Sequence, residues 1–292
     1  MQIPLFKPQT EWLPPEEFPD LKGEKEIAID LETKDPNLNK SMGSGAVVKV
    51  GQIVGISVAT KTWSGYYPTA HEGGGNLDKA MVSKWLQDVL NTSADKIFHN
   101  AMYDVCWLRS EGFTIQGRII DTMIASAIVD ENQLRYDLNN CSKRYLNEAK
   151  DEAALYAAAK EWGVDAKAEM YKLPAMYVGA YAEKDAELTY KLWQELKKEI
   201  NHQDITDIWK METELFPCLV DMRFLGVRVN QEQAEIEKKT LMEHEKKLLT
   251  EVKNETGIEV QIWAARSIAQ VFDKLKLVYD RTEKTQAPSF TK

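Results

Sequence analysis

Cysteine is scarce in this chain. Three residues, Cys106, Cys141 and Cys218, lie far apart among 292 positions. That argues against a disulfide framework or a cysteine zinc site and suits a reducing cytosol. No apolar run reaches the length of a membrane span, and the opening stretch "MQIPLFKPQTEWLPPEEFPD" has no signal-peptide pattern. The expectation is a cytoplasmic protein without a membrane partner. Positive charge is also in short supply, with 37 Lys and Arg against 46 Asp and Glu and a formal net charge of −9. A nucleic-acid partner would have to be held by a local basic patch, by stacking or by bound cations. No internal repeat is visible. The remaining composition, 43% hydrophobic and 28% charged, is that of a globular protein with one large domain or two modest ones.

The order of elements gives the organisation. Residues 1–24, rich in Pro, Glu and aromatics, read as an extended arm. Strand-like runs follow at 26–32, 50–60 and 62–68, separated first by the loop "KDPNLNKSMGSGAVVK". Asn76 or Asp78 can cap the helix "KAMVSKWLQDVL", "KIFHN" reads as a fourth strand, and "AMYDVCWLRSEG" as a helix stopped by Gly112. Further helices are expected from about Asp121, Leu134 and Asp151, with a long one over 174–200. A new unit is expected near 205, with a helix ended by Gly226, a short strand "VRV", and a charged helix opened by Asn230 and Gln233. The pattern predicts a mixed α/β domain over 25–204 followed by a small helical segment over 205–292.

Chemistry concentrates at three places. In "IAIDLET", Asp30 and Glu32 stand two apart on a strand and so share one face, where they repel each other. In "HNAMYD", Asn100, Asp104 and Trp107 share a helical face. In "YAEKDAEL", Tyr181, Asp185, Leu188, Leu192 and Leu196 form one stripe that ought to be buried, with no Lys or Arg on it. A buried carboxylate needs a compensating partner or loses its charge. Divalent cations answer the need, because Mg²⁺ and Mn²⁺ prefer oxygen ligands. Two such ions ~3.5–4 Å apart suit in-line phosphoryl displacement. Tyr181, one turn before Asp185, can orient the attacking water. A phenol with a pKa of ~10 is better suited to that than to taking its proton.

"DLET", "HNAMYD" and "YAEKD" resemble, in order, the three motifs of the DEDD 3′–5′ exonucleases in their tyrosine version, over residues 25–200. The resemblance implies a ribonuclease-H-like fold, a mixed five-stranded sheet flanked by helices. It maps the metal-binding carboxylates onto Asp30, Glu32, Asp104 and Asp185, and the water-orienting tyrosine onto Tyr181. "ELFPCLVDMRFLGVRVN" and "SIAQVFDKLKLVYDRTEKTQAPSFTK" resemble the start of the thumb in family A DNA polymerases, and "DPNLNKSMGSG" with "YYPTAHEGG" resembles phage members of that group. No palm or fingers motifs occur. The expectation is therefore a piece ending within the thumb or one part of a split enzyme, with the polymerase portion separate or missing. The partner implied is a single-stranded DNA 3′ end, and the activity proofreading hydrolysis to nucleoside 5′-monophosphates.

Singly, these signals are weak: Asp-x-Glu is common at solvated strand ends and Tyr-x-x-x-Asp occurs in ordinary helices. Their order carries the reading. Thr33 is a candidate contact for the terminal nucleotide, Asn100 a helix cap or a substrate contact, and His71 a candidate DNA contact. His99 is expected to bond locally and Asp121 to cap a helix. The run "EHEKKLLTEVKNE" reads as a solvated face. Two alternatives fit the same motifs, an RNase D-like exoribonuclease and a catalytically silent module that binds nucleic acid or a polymerase partner.

Overall fold

The computed structural model describes residues 10–38, 40, 43–150 and 152–290. The first nine residues of the arm, part of the loop after the first strand, and Asp151 at an expected helix start lie outside the described residues. The chain divides into two compact units, Met1–Gly226 and Val227–Lys292.

The first unit opens with β1 (Glu26–Lys34), a short α1 (Gly45–Val48), β2 (Gln52–Ala59) and β3 (Ser64–Pro68). It continues through α2 (Lys79–Leu90), β4 (Asp95–Phe98), α3 (Ala101–Ser110), β5 (Ile119–Asp121) and α4 (Thr122–Val129). It closes with α5 (Leu138–Leu146), α6 (Ala153–Trp162), α7 (Gly179–His202) and α8 (Thr206–Leu225). The strands form one mixed sheet in the order β3-β2-β1-β4-β5. β1 is antiparallel to β2 and parallel to β4, so the chain reverses direction beside β1. This is the ribonuclease-H-like arrangement.

Alternation along β1 and β2 explains how the sheet is covered. Ile27, Ile29 and Leu31 join Ile56 and Val58 in a core with α2 and α3. On the opposite face, Ala28 and Ala59 pack with Leu188, Leu192 and Leu196 of α7. That second face is built from small residues, Gly55, Ser57 and Ala59, paired with Glu32, Asp30 and Ala28. A face of small side chains lets a helix lie close to the strands. Gly55 shows how tight the fit is, since a Cβ there would stand 2.0 Å from the Tyr66 hydroxyl. The pairing slips between Glu32 and Thr33, a bulge at the carboxylate end of the strand.

The described part of the arm, residues 10–24, has no helix or strand and is tied to the first unit. Trp12 donates its indole N–H to Glu183 at 3.0 Å, and the Tyr67 hydroxyl donates to the Glu17 carbonyl at 2.8 Å. Phe18 stacks on Tyr67 with ring centres 5.2 Å apart. Helix α8 departs from expectation. It does not open a new unit but packs on the first one, with Trp209 stacked 5.3 Å from Trp193 and Phe216 and Val220 in the core beside α3.

The second unit holds α9 (Gln231–Thr256), α10 (Ala265–Lys274) and the ribbon β6 (Asp280–Arg281) and β7 (Pro288–Ser289). Asn230 caps α9 by accepting from the Gln233 amide at 3.1 Å. The Gln233 side chain turns forward to Glu237, so the reciprocal half of a capping box is missing. The expected strand "VRV" is irregular backbone. Phe272, Tyr279 and Phe290 cluster with ring centres 5.0–6.1 Å apart.

Candidate active site

Asp30 and Glu32 lie on the sheet face toward α7, because they continue the Ala28 register. Asp185 comes from α7, one turn after Tyr181, and both are buried as the stripe required. Asp104 comes from the first turn of α3 and is 3% exposed. Its Oδ1 accepts from the Leu31 amide at 3.1 Å, which ties the helix to β1 between the two strand acids. Asp30, Glu32, Tyr181 and Asp185 line one cavity of about 330 Å³, together with Asn100 and Lys150. A larger cavity of about 640 Å³ lies around Trp63, Tyr145 and Tyr190. Its Glu148 and Glu187 are paired with Lys184 and Lys191, so it carries no comparable charge imbalance.

Electrostatics set the carboxylate cavity apart. Burial, then repulsion from Asp185, pushes Asp30 up to about 7. Burial and the charges of Asp30 and Asp185 raise Glu32 well above the usual carboxylate range. Asp104 is raised in the same way by burial and Asp30, against the pull of the Leu31 amide. Burial also raises Asp185, opposed by Lys150. Burial and the neighbouring acids push the Tyr181 phenol far up, so it keeps its proton at neutral pH.

Two lysines that no motif announced reach these side chains, of which Lys150 lines the cavity. Lys150 donates to Asp185 Oδ2 at 2.6 Å and lies 3.4 Å from the Tyr181 hydroxyl. Lys167 donates to the Tyr181 hydroxyl at 3.0 Å and to Glu152 at 2.6 Å. Neither lies on the α7 stripe, and both arrive from segments without helical or strand periodicity that would have given their direction.

The remaining candidates divide. Asn100 sits at φ 68°, ψ 50° before α3, and its side chain makes no capping bond. The cap role falls to Asp121, whose carboxylate accepts from the Asn100 and Ala101 amides at 3.0 and 2.9 Å. It also accepts from Met123 at 2.8 Å, at the start of α4. Asn100 thus faces the cavity. Thr33 bonds the Tyr103 hydroxyl at 2.5 Å, beside the bulge. His71 does not suit a DNA contact: it is 3% exposed and its Nε2 is bonded to the Tyr66 hydroxyl at 2.6 Å. His99 bonds Thr122 and the Tyr136 carbonyl. Asp78, not Asn76, caps α2 by accepting from Met81, while Asn76 ties down the His71 backbone.

The donor set suits hard divalent cations. All its oxygens are carboxylate or phenol, its acids repel, and buried Asp185 Oδ1 has no hydrogen-bond partner. Among the described residues no three acidic, His or Cys side chains are gathered in a ready ion-binding arrangement. Instead the Lys150 ammonium holds one oxygen of Asp185.

A ribonuclease-H-like sheet carrying this cavity at one end defines a class, that of the ribonuclease-H-like nucleases. A family model described as 3′–5′ exonuclease matches residues 9–201, and the chain belongs to this exonuclease family of family A DNA polymerases. A DNA-directed DNA polymerase of Pseudomonas phage M6 is 32% identical over 293 residues, 97% of this chain and 44% of the relative. DNA polymerase I of Synechocystis is 25% identical over 247 residues, covering 81% of this chain and 24% of that one. The chain therefore spans less than half the length of these polymerases. The POL domain of M. smegmatis Pol1, in complex with DNA primer-template and dNTP, superposes with a TM-score of 0.62 at 15% identity. The match covers 92% of this chain and 40% of that one. Brucella melitensis NrnC with bound Mg²⁺ gives 0.51 at 17% identity, over 71% and 89%. Both likenesses concern the fold. Among the described residues no helix is long and apolar enough to cross a membrane.

Proposed function

We propose that this chain hydrolyses the terminal phosphodiester of single-stranded or frayed DNA 3′ ends, releasing nucleoside 5′-monophosphates, as the proofreading part of a family A polymerase acting in a bacterial cytoplasm. The observation that carries the reading is the convergence of Asp30, Glu32, Tyr181 and Asp185 in one cavity, with Asp104 bonded to the strand between the first two. Asp30, Glu32, Asp104 and Asp185 would hold two divalent cations, Mg²⁺ or Mn²⁺. When bound, these supply positive charge to the attacking water and to the departing 3′ oxygen.

The rest is done by side chains. Tyr181 keeps its proton and accepts from Lys167, which holds its hydroxyl where it would orient water. Asn100, which lines the cavity without a capping bond, would meet the terminal nucleotide, while Thr33 is bonded to the Tyr103 hydroxyl and does not line the cavity. Unit Val227–Lys292 is read as the beginning of a polymerase thumb; the phage relative's alignment over 97% of the chain supports this.

The test is release of mononucleotides from a 5′-labelled single-stranded DNA with Mg²⁺, beside an RNA of the same sequence and a chelated control. Stepwise shortening of the DNA, abolished by EDTA, is the expected result. Faster RNA shortening would move the assignment to an exoribonuclease, and no shortening of either would leave a binding module.

A further inference from the structure

Lys150 is the most deeply paired cation in the cavity. Its side chain is 12% exposed and that of its partner Asp185 is 5% exposed. The ammonium takes Oδ2 alone, while the buried Oδ1 of the same carboxylate has no partner. Lys150 also offsets the charges of Asp30 and Glu32, so one ammonium serves three acids. That is a compact monovalent charge where hard divalent charge fits the oxygens better.

The two kinds of charge do not fit together. Two divalent ions balance four carboxylates by themselves. Adding Lys150 at Asp185 would place like charges side by side in a poorly solvated cavity, where repulsion is strong. Lys150 can yield while its own backbone stays in place. Its backbone N–H donates to Asn139 at 3.3 Å, and nearby Glu148 is held by Lys184 and Lys191. The four-carbon stem gives the ammonium its own freedom to swing. Lys167 differs, because Glu152 and the Tyr181 hydroxyl hold it at the cavity's edge.

We propose that Lys150 is a resident counter-ion that holds Asp185 in place before a divalent cation arrives and is displaced when the cation binds. The inference rests on the two-cation reading above. It makes Lys150 a positioning residue that sets the threshold for cation entry.

Two measurements on the whole chain test it. In the first, wild-type protein is acetylated briefly with and without saturating Mn²⁺, and each lysine is read by mass spectrometry. Lys150 should label several-fold more with Mn²⁺, while Lys198, on the exposed side of α7 against Glu195, should not change. In the second, calorimetry compares Mn²⁺ binding to wild type and Lys150→Met, with circular dichroism confirming the fold. The variant should bind about tenfold more tightly, the order expected from removing a like charge beside the ion. Unchanged or reduced Lys150 labelling overturns the proposal, as does equal or weaker Mn²⁺ binding by folded Lys150→Met. Should that variant not fold, the labelling decides alone. If wild type binds no Mn²⁺ at all, the two-cation reading fails and this inference with it. If Mn²⁺ binds and Lys150 stays protected, only the inference falls.

Discussion

Each acid of the cavity is held by a different device, and its loss should read differently. Among the described residues no backbone donor ties down the Asp30 side chain, which feels the charges of both Glu32 and Asp185 and would be one of the acids holding the ions. Asp30→Ala should cut hydrolysis by ~10³-fold or more while DNA binding persists. Steady-state rates and a filter-binding assay check this, and near-wild-type turnover would remove Asp30 from the chemistry. Tyr181→Phe should lose ~10²-fold or less, because an orienting hydroxyl contributes at the lower end of such effects. Its Mn²⁺ affinity by calorimetry should stay within a few-fold of wild type. At this scale the sequence was most legible where spacing encodes direction. Two acids two apart on a strand, and a tyrosine four before an aspartate on a helix, announce shared faces. Lys150 and Lys167 were not legible, since irregular segments carry no period from which a side chain's direction can be read.

At the scale of elements, the approach of α7 to the sheet decides where Asp185 meets Asp30. Gly55 is the tightest point on that face, opposite Glu32 and against the fully buried Tyr66, whose hydroxyl is bonded to His71. Gly55→Ala should destabilise by about 1–3 kcal/mol, as overpacking does, because the tyrosine tip cannot swing aside. Urea unfolding measures it, and activity should fall with it through Glu32. A variant as stable as wild type would mean the strand can shift. The alternation of β1 and β2 and the apolar stripe of α7 were readable in advance. The three-residue β5 was not, being too short for alternation to register. Helix α8 was assigned to a new unit because nothing in a helix's own sequence says which body its Trp209 and Phe216 will cover.

The whole molecule carries a net charge of −9, so non-specific grip on duplex phosphates should be poor. Single strands and mismatched 3′ ends should be shortened faster than a blunt matched duplex of the same sequence at fixed salt. Equal initial rates would count against proofreading, and internal cuts in a circular single strand would count against exonuclease action altogether. Stability should also depend on pH through the cavity. Asp30, Glu32, Asp104 and Asp185 all stand above their ordinary values, so the folded state holds protons that the unfolded chain releases. Their contribution to stability is therefore lost as pH rises from the ordinary carboxylate range, ~4, through the Asp30 value of about 7. Cations bound to the ionised acids restore it. The rise in Tm on adding Mn²⁺ to chelated protein should thus grow from pH 5 to pH 8 in scanning fluorimetry. A rise independent of pH would mean that the ions bind elsewhere.

Asp121 has one more consequence, and it concerns heredity. Its carboxylate pins the first amides of α3, the helix that carries Asp104, and the start of α4, yet it does not line the cavity where hydrolysis is proposed. Asp121→Ala should let that helix end loosen and Asp104 drift from the Leu31 amide. Under the proofreading reading, a genome copied with such a variant would accumulate uncorrected mismatches. Selection for mutator strains would then return Asp121 beside the four acids, although it never meets the strand being corrected.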